Sequence, residues 1–159
     1  MINPGTGDVV VDWESGQPVK DPKTIEEWAG QIRAQTAAAP VPGQIKTPDS
    51  IIEDLENLKY LAAQNVLILR EGDRTRRAAR RMLARARLVA SKAATAKDAD
   101  TRKLEMDVAA EKEVEICDNA EIAYEYAKAV ADAVRTNTSA VQTQAKQVEL
   151  TYQLSNRGR

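Results

Sequence analysis

The amino-acid sequence predicts an all-α protein: a long antiparallel helical hairpin over residues 48–159, coiled-coil-like with an alanine-rich seam, preceded by an extended N-terminal arm (1–47) that carries one short helix. Three observations predict it. Apolar residues recur at alternating spacings of three and four through two stretches of similar length, which is the pattern of one helical face. A polar, turn-competent segment, Ala94-Thr95-Ala96-Lys97-Asp98-Ala99-Asp100-Thr101, separates those stretches. The chain is 43% hydrophobic and 30% charged but only 4% aromatic, with no Phe, so alanine must supply much of the apolar surface. Small side chains bury little area each. Such a core needs length or partner chains, and a homo-oligomer is the expectation.

The arm begins with turn signals. Asn3-Pro4-Gly5, Gly7, Gly16 and Pro18 surround the run Val9-Val10-Val11, a pattern of turns flanking at most one strand. A lone strand has no partner sheet, so the arm is either mobile or laid on something else. Asp21-Pro22 opens a short helix, about 22–39, in which Thr24 and Glu27 have capping-box spacing and Ile25, Trp28 and Ile32 share a face. The tract Ala37-Ala38-Ala39-Pro40-Val41-Pro42-Gly43 reads as an extended linker.

Thr47-Pro48-Asp49 is a helix start, with Thr as N-cap, Pro at the first helical position and an acid at the positive end of the dipole. The first long helix, about 48–95, carries its seam on Ile51, Leu55, Leu58, Ala62, Asn65 and Leu69, then through Gly72 and Arg76 to Ala79, Leu83, Ala86, Ala90 and Ala93. Gly72 and Arg76 are poor seam residues, and a local weakness or kink is expected there. Asp98 or Asp100 caps the second, about 101–154. Its seam alternates without interruption over Cys117, Ala120, Tyr124, Ala127, Ala131, Val134, Thr138, Val141, Ala145, Val148 and Tyr152. Near-equal lengths and a short turn favour antiparallel pairing.

Composition also excludes. There is no histidine and one cysteine, Cys117, so an internal disulfide, a histidine-based triad and a histidine-bearing zinc site are ruled out. No P-loop or glycine-rich dinucleotide fingerprint is present, no pair of groups poised for acid–base chemistry is visible, and a non-enzymatic protein without a cofactor or metal is expected. No stretch has the roughly 18 apolar residues of a membrane span, and Met1-Ile2-Asn3-Pro4 does not open a secretory leader. The cytoplasm is the expected location, the host's if the chain is phage-encoded.

The formal net charge is −1, so any affinity for nucleic acid must come from local segregation. Residues 70–92 hold nine basic side chains against two acidic ones, a net +7, and residues 105–125 hold eight acidic against one basic, a net −7. Arg70, Arg74, Arg77, Arg81 and Arg85 share one helical face. With Arg87 they form a candidate phosphate-binding stripe whose affinity would fall with salt. The competing reading has the stripe neutralised within the hairpin or by a neighbouring subunit: a turn near residue 99 sets position i opposite about 198 − i, so Arg85 approaches Glu113 and Arg77 approaches Glu121. Both readings stand on the sequence. The acidic run is better read as a solvated helix face than as a metal site, and Cys117 as a buried small hydrophobe than as a nucleophile. Tyr124, Tyr126 and Tyr152 could stack bases, but two of them lie on the seam. Trp13 and Trp28 are candidate anchors for docking the arm on another chain, or covers for the protein's own helices.

The order of segments resembles a family. Ala62-Ala63-Gln64-Asn65-Val66, an arginine-rich stretch ending in Arg85-Ala86-Arg87-Leu88, a turn and a long second helix resemble the UvsY-type recombination mediators of T-even phages, and Asp100-Thr101-Arg102-Lys103 is similar to small two-helix proteins of actinobacterial phages. The resemblance covers residues 51–154. It implies an oligomer that binds single-stranded DNA and helps load a recombinase, with Arg85 and Arg87 as DNA contacts. The acidic opposing helix departs from that pattern. The expected function is therefore a non-enzymatic, oligomeric recombination or replication accessory that binds single-stranded DNA. Its rival is a phage virion structural or assembly protein, head-tail or capsid-associated, whose arm docks on neighbouring subunits or other virion proteins.

Overall fold

Thr47 stands in extended backbone (φ −82, ψ 158) and its hydroxyl accepts from the Ser50 amide, with Pro48 following. The cap fills an otherwise orphan donor, and α2 runs from it without a break over Pro48–Ser91. In the computed structural model, which describes residues 1–36 and 46–157 with side chains through Leu154, the other helices are α1 (Pro22–Thr36), α3 (Ala99–Ala109) and α4 (Glu111–Arg157). The linker expected over 37–43, and the last residues of the short helix expected to reach 39, lie outside the described residues.

Antiparallel α2 and α4 form the expected hairpin. At 1.5 Å per residue their 44 and 47 residues make rods of about 66 and 70 Å. Every expected seam position of α4 from Cys117 to Val148 is buried or half-buried, while Tyr152 is exposed. On α2, Ala62 is exposed and Leu61 is fully buried in its place, beside Leu58, Asn65 and Ile68. The seam on α2 is wider than one coiled-coil stripe because a third helix covers it. Ile25, Ala29 and Ile32 of α1 share a core with Leu58, Leu61 and Ile68 of α2 and with Ala123, Ala127, Val130 and Val134 of α4. Asn137 of α4 donates its side-chain amide to the Thr36 carbonyl, 3.1 Å, satisfying an end carbonyl of α1. Since α1 starts at Pro22, Thr24 sits inside the first turn and does not cap it; the Thr24 and Ile25 amides bond to the Asp21 carbonyl.

α2 is not interrupted at Gly72. The glycine lies where α1, α2 and α4 meet, and a Cβ there would stand 3.4 Å from Ile25 Cγ2 and 3.5 Å from Tyr124 Cδ2, which is ordinary contact. Gly72→Ala should therefore keep the packing and gain helix propensity, raising stability by about 0.5–1 kcal/mol; a lowered urea midpoint would mean that the three helices cannot give even a few tenths of an ångström.

The break falls elsewhere. Ala110, buried, has φ −114 and ψ 27 and ends α3, so the second arm is two helices instead of the single expected one. No glycine or proline marks the position. The Pro4-Gly5 turn lies over this step, where a Cβ on Gly5 would stand 3.1 Å from Glu113 Oε1. The turn between α2 and α3 is held by Asp98, whose carboxylate accepts from the Thr101 amide and hydroxyl, both 3.0 Å; those bonds, the amide first, hold its pKa below the usual value. Glu105 closes the turn by accepting from the Thr95 and Ala96 amides.

Residues 1–19 lie on the hairpin. The chain reverses twice, at Gly7 (φ 75) and Gly16 (φ 66), with antiparallel bridges Ile2–Val9 and Val11–Pro18. Left-handed backbone at both turns favours glycine. The resulting three-pass ribbon buries Met1 and Val19 against Ala78 and Ala79 of α2 and Ala120 of α4, with Val10, Ile116 and Cys117 alongside. Thr75 ties the end of the ribbon down by donating to the Lys20 carbonyl, 3.0 Å.

Candidate functional site

The arginine face of α2 is where charge, ribbon and hairpin turn meet, and the ribbon's position decides which cations remain available. Arg74 is 9% exposed. Its guanidinium pairs with Glu71 (2.7 Å) and Asp12 (3.4 Å) and donates to the Ser15 hydroxyl (2.6 Å). Its pKa is raised, first by the Glu71 hydrogen bond. Asp12 is held below the ordinary carboxylate range, chiefly by the Ser15 hydroxyl, with the Ser15 amide and the Arg74 and Arg77 charges acting in the same direction against burial.

Arg77 pairs with Asp73 (3.1 Å) and Glu14 (3.4 Å), and Arg87 with Asp107 (2.6 Å). Arg76, on the seam, stacks on Tyr124 at 4.0 Å and pairs with Asp73 and Glu121, which also takes Arg80 at 2.7 Å. Three of the six candidate phosphate contacts, Arg74, Arg77 and Arg87, are therefore held by the chain's own carboxylates. Arg76 and Arg80 meeting Glu121 sets the hairpin register within about one turn of the expected one. The sequence reading missed Asp12 and Glu14 as counterions, because the acids of the arm can be assigned only once the ribbon is placed.

Arg70 and Arg85 are exposed and make no ion pair among the described residues. Arg81 covers the Trp13 ring, 4.9 Å from its centroid. Trp13 itself is 68% exposed. The other tryptophan is spent internally: Trp28 packs against the α1–α2–α4 core beneath Lys20, so it covers the protein's own helices and is no free anchor.

Between ribbon and hairpin runs a groove of about 720 Å³. It is lined on α2 by Ala78, Met82, Ala86, Val89 and Ala90, on the ribbon by Val9, Val11 and Trp13, and further by Ala109 and Glu113. Arg81, Arg85 and Asp8 are the other charged side chains that line it. Val9, Val11, Trp13 and Val89 are all more than half exposed. Exposed apolar side chains gathered in one concavity are the usual mark of a docking surface. The Val9-Val10-Val11 run and the alanine-rich end of α2 were visible in the sequence, but their juxtaposition was not.

Cys117 is half-buried in the seam, and burial pushes its thiol pKa up, with the neighbouring Asp118 adding to the effect; it is the thiol form that packs there. Among the described residues no group of three or more His, Cys, Asp or Glu is arranged to hold a metal ion, and no helix is long and apolar enough to cross a membrane. No protein-family model, curated protein or solved structure matches the chain.

Proposed function

We propose that this is a non-enzymatic helical assembly protein that docks on a neighbouring subunit through the ribbon-lined groove, as a virion structural or assembly component would. The observation that carries the reading is the groove itself: Val9, Val11, Trp13 and Val89 are held exposed around Ala78, Met82, Ala86 and Ala90 of α2, while three of the six arginines of the stripe, Arg74, Arg77 and Arg87, are held by the chain's own carboxylates. Leaving such a surface in water is unfavourable, and covering it stabilises a complex. A photo-crosslinking residue placed at Val89 in cells should give abundant protein adducts. The same residue at exposed Glu125, on the outer face of α4, should give few. Equal yields at the two positions would sink the docking reading.

A second reading, a single-stranded-DNA-binding recombination accessory, is favoured by one specific arrangement. Trp13 exposes a ring, with Arg81 against it and Arg85 one turn further along α2, and a stacking aromatic beside guanidinium groups is how single-strand binders engage base and phosphate. The resemblance to recombination mediators points the same way. On this reading the phosphate-binding side chains reduce to Arg70, Arg81 and Arg85. Arg81→Ala with Arg85→Ala should weaken binding to a labelled single-stranded oligonucleotide and flatten the slope of log affinity against log salt by about 0.7 for each phosphate no longer neutralised. An unchanged affinity and slope would dismiss it.

A further inference from the structure

The second turn of the ribbon meets the arginine face of α2 one residue after another. Asp12 pairs with Arg74 (3.4 Å), and the Ser15 hydroxyl accepts from the same guanidinium (2.6 Å). Glu14 pairs with Arg77 (3.4 Å), and between the two carboxylates the Trp13 ring lies against Arg81, 4.9 Å from its centroid. Arg74, Arg77 and Arg81 are spaced three and four apart and so are neighbours along one helical face. An anion, an aromatic ring and a second anion are thus laid on a row of guanidinium groups. A single nucleic-acid strand offers the same groups as phosphate, base and phosphate.

The turn has a different attachment from the rest of the ribbon. Met1 and Val19 are buried against Ala78, Ala79 and Ala120, and Thr75 holds the Lys20 carbonyl. The bridge between Val11 and Pro18 closes the base of the turn, and residues 13–17 beyond it are exposed. Its ion pairs to α2 are contacts that a competing polyanion can replace without disturbing the apolar anchor. We propose that residues 12–15 are an internal mimic of single-stranded DNA, which covers part of the arginine face until a strand displaces the two carboxylates and takes Arg74 and Arg77 together with Arg70, Arg81 and Arg85. Trp13, carried on the same turn, stacks on a base of the incoming strand. Glu71 and Asp73 remain beside Arg74 and Arg77 on α2, but a guanidinium has five donors and holds a carboxylate and a phosphate at once. The inference rests on the second reading above and adds to it a covered part of the site and the segment that covers it.

The test uses the full chain and a labelled single-stranded DNA oligonucleotide over a salt series. Asp12→Asn with Glu14→Gln removes both charges at nearly constant size. This variant should bind about tenfold tighter than the native chain at low salt, and its slope of log affinity against log salt should steepen by about 0.7 for each of the two arginines that reaches a phosphate. Adding Arg77→Gln should take back part of the gain. Glu53→Gln with Glu56→Gln, exposed on α2 about five turns before Arg74, makes the same change in net charge and should leave the affinity within about twofold of native. Circular dichroism and thermal melting check folding; Glu14→Gln alone, at an exposed position, should show part of the gain even where the double variant does not fold. Variants at Asp12 and Glu14 that bind no tighter than the native chain, or a control pair that gains as much, overturn the proposal. If native binding still falls with Arg81→Ala and Arg85→Ala, the second reading survives that failure. If neither the native chain nor any variant binds at low salt, both are dismissed.

Discussion

Replacing Arg74 by methionine is expected to lower the unfolding free energy by about 3–5 kcal/mol, the usual cost of removing one member of a buried ionic cluster. The Arg74 side chain is 11% exposed and its partner Asp12 only 5%. Without the guanidinium the Asp12 carboxylate stays desolvated with Ser15 as its remaining partner, and the ribbon must move to rehydrate it. Ribbon amides such as those of Asp12 and Val19, which bond to Gln17 and Val10, should lose exchange protection before the α1–α2–α4 core does. Arg70→Met and Arg85→Met, at exposed positions without ion pairs among the described residues, should stay within about 0.5 kcal/mol of the native protein. Urea denaturation followed by circular dichroism checks the series; a loss under 1 kcal/mol for Arg74→Met would mean that the ribbon yields freely and is not pinned by this cluster.

The same cluster fixes a pH dependence. Asp12 has a lowered pKa in the folded chain, so it binds fewer protons folded than unfolded just below the ordinary Asp range. Its stabilising contribution is complete above that range and is lost as pH falls through the lowered folded value. Removing Arg74 takes away one of the causes of the shift, and the acid unfolding midpoint of Arg74→Met should move to higher pH than that of the native chain.

How much of this was legible depends on whether the signal is local. The Thr47-Pro48 start, the Asp98 cap and the α4 seam are carried by residues near one another in sequence, and each follows from backbone donors that need partners or from a 3.6-residue period. The ribbon is different. Gly7 and Gly16 announce turns, but that the ribbon lies on Ala78, Ala79 and Ala120 depends on small side chains of two distant helices making room together. The arginines follow from that placement. A stripe of like charge reads the same whether water, a phosphate chain or Asp12 and Glu14 faces it, and only the tertiary contact decides. Ala62 and Leu61 illustrate the same point within a helix: a two-helix seam would bury position 62, whereas a third helix rotates the buried face and takes in Leu61 instead. The break at Ala110 had no residue to announce it, since alanine is the best helix former and the Pro4-Gly5 turn that lies beside Ala109 and Glu113 comes from the far end of the sequence.

Asn65 is the position where polarity and burial conflict most. It is 2% exposed, beside Leu61 and Ile68, and among the described residues neither its amide nitrogen nor its carbonyl oxygen has a hydrogen-bond partner. An unmet buried polar group costs about 1–3 kcal/mol, and an apolar side chain of similar shape removes that cost without opening a cavity. Asn65→Leu should therefore raise stability by about 1–3 kcal/mol in urea. The gain should come with a loss of uniqueness. In an alanine-rich seam successive heptads are nearly alike, and a single polar side chain is the usual device that penalises a slipped register. The leucine variant should accordingly melt at higher temperature yet show additional amide resonances for α2 and α4, reporting a second pairing of the helices. A variant that is instead destabilised would mean that Asn65 holds a bound water between the three helices, and that the seam is fixed by that hydrogen-bonded bridge and not by the penalty on an unpaired amide.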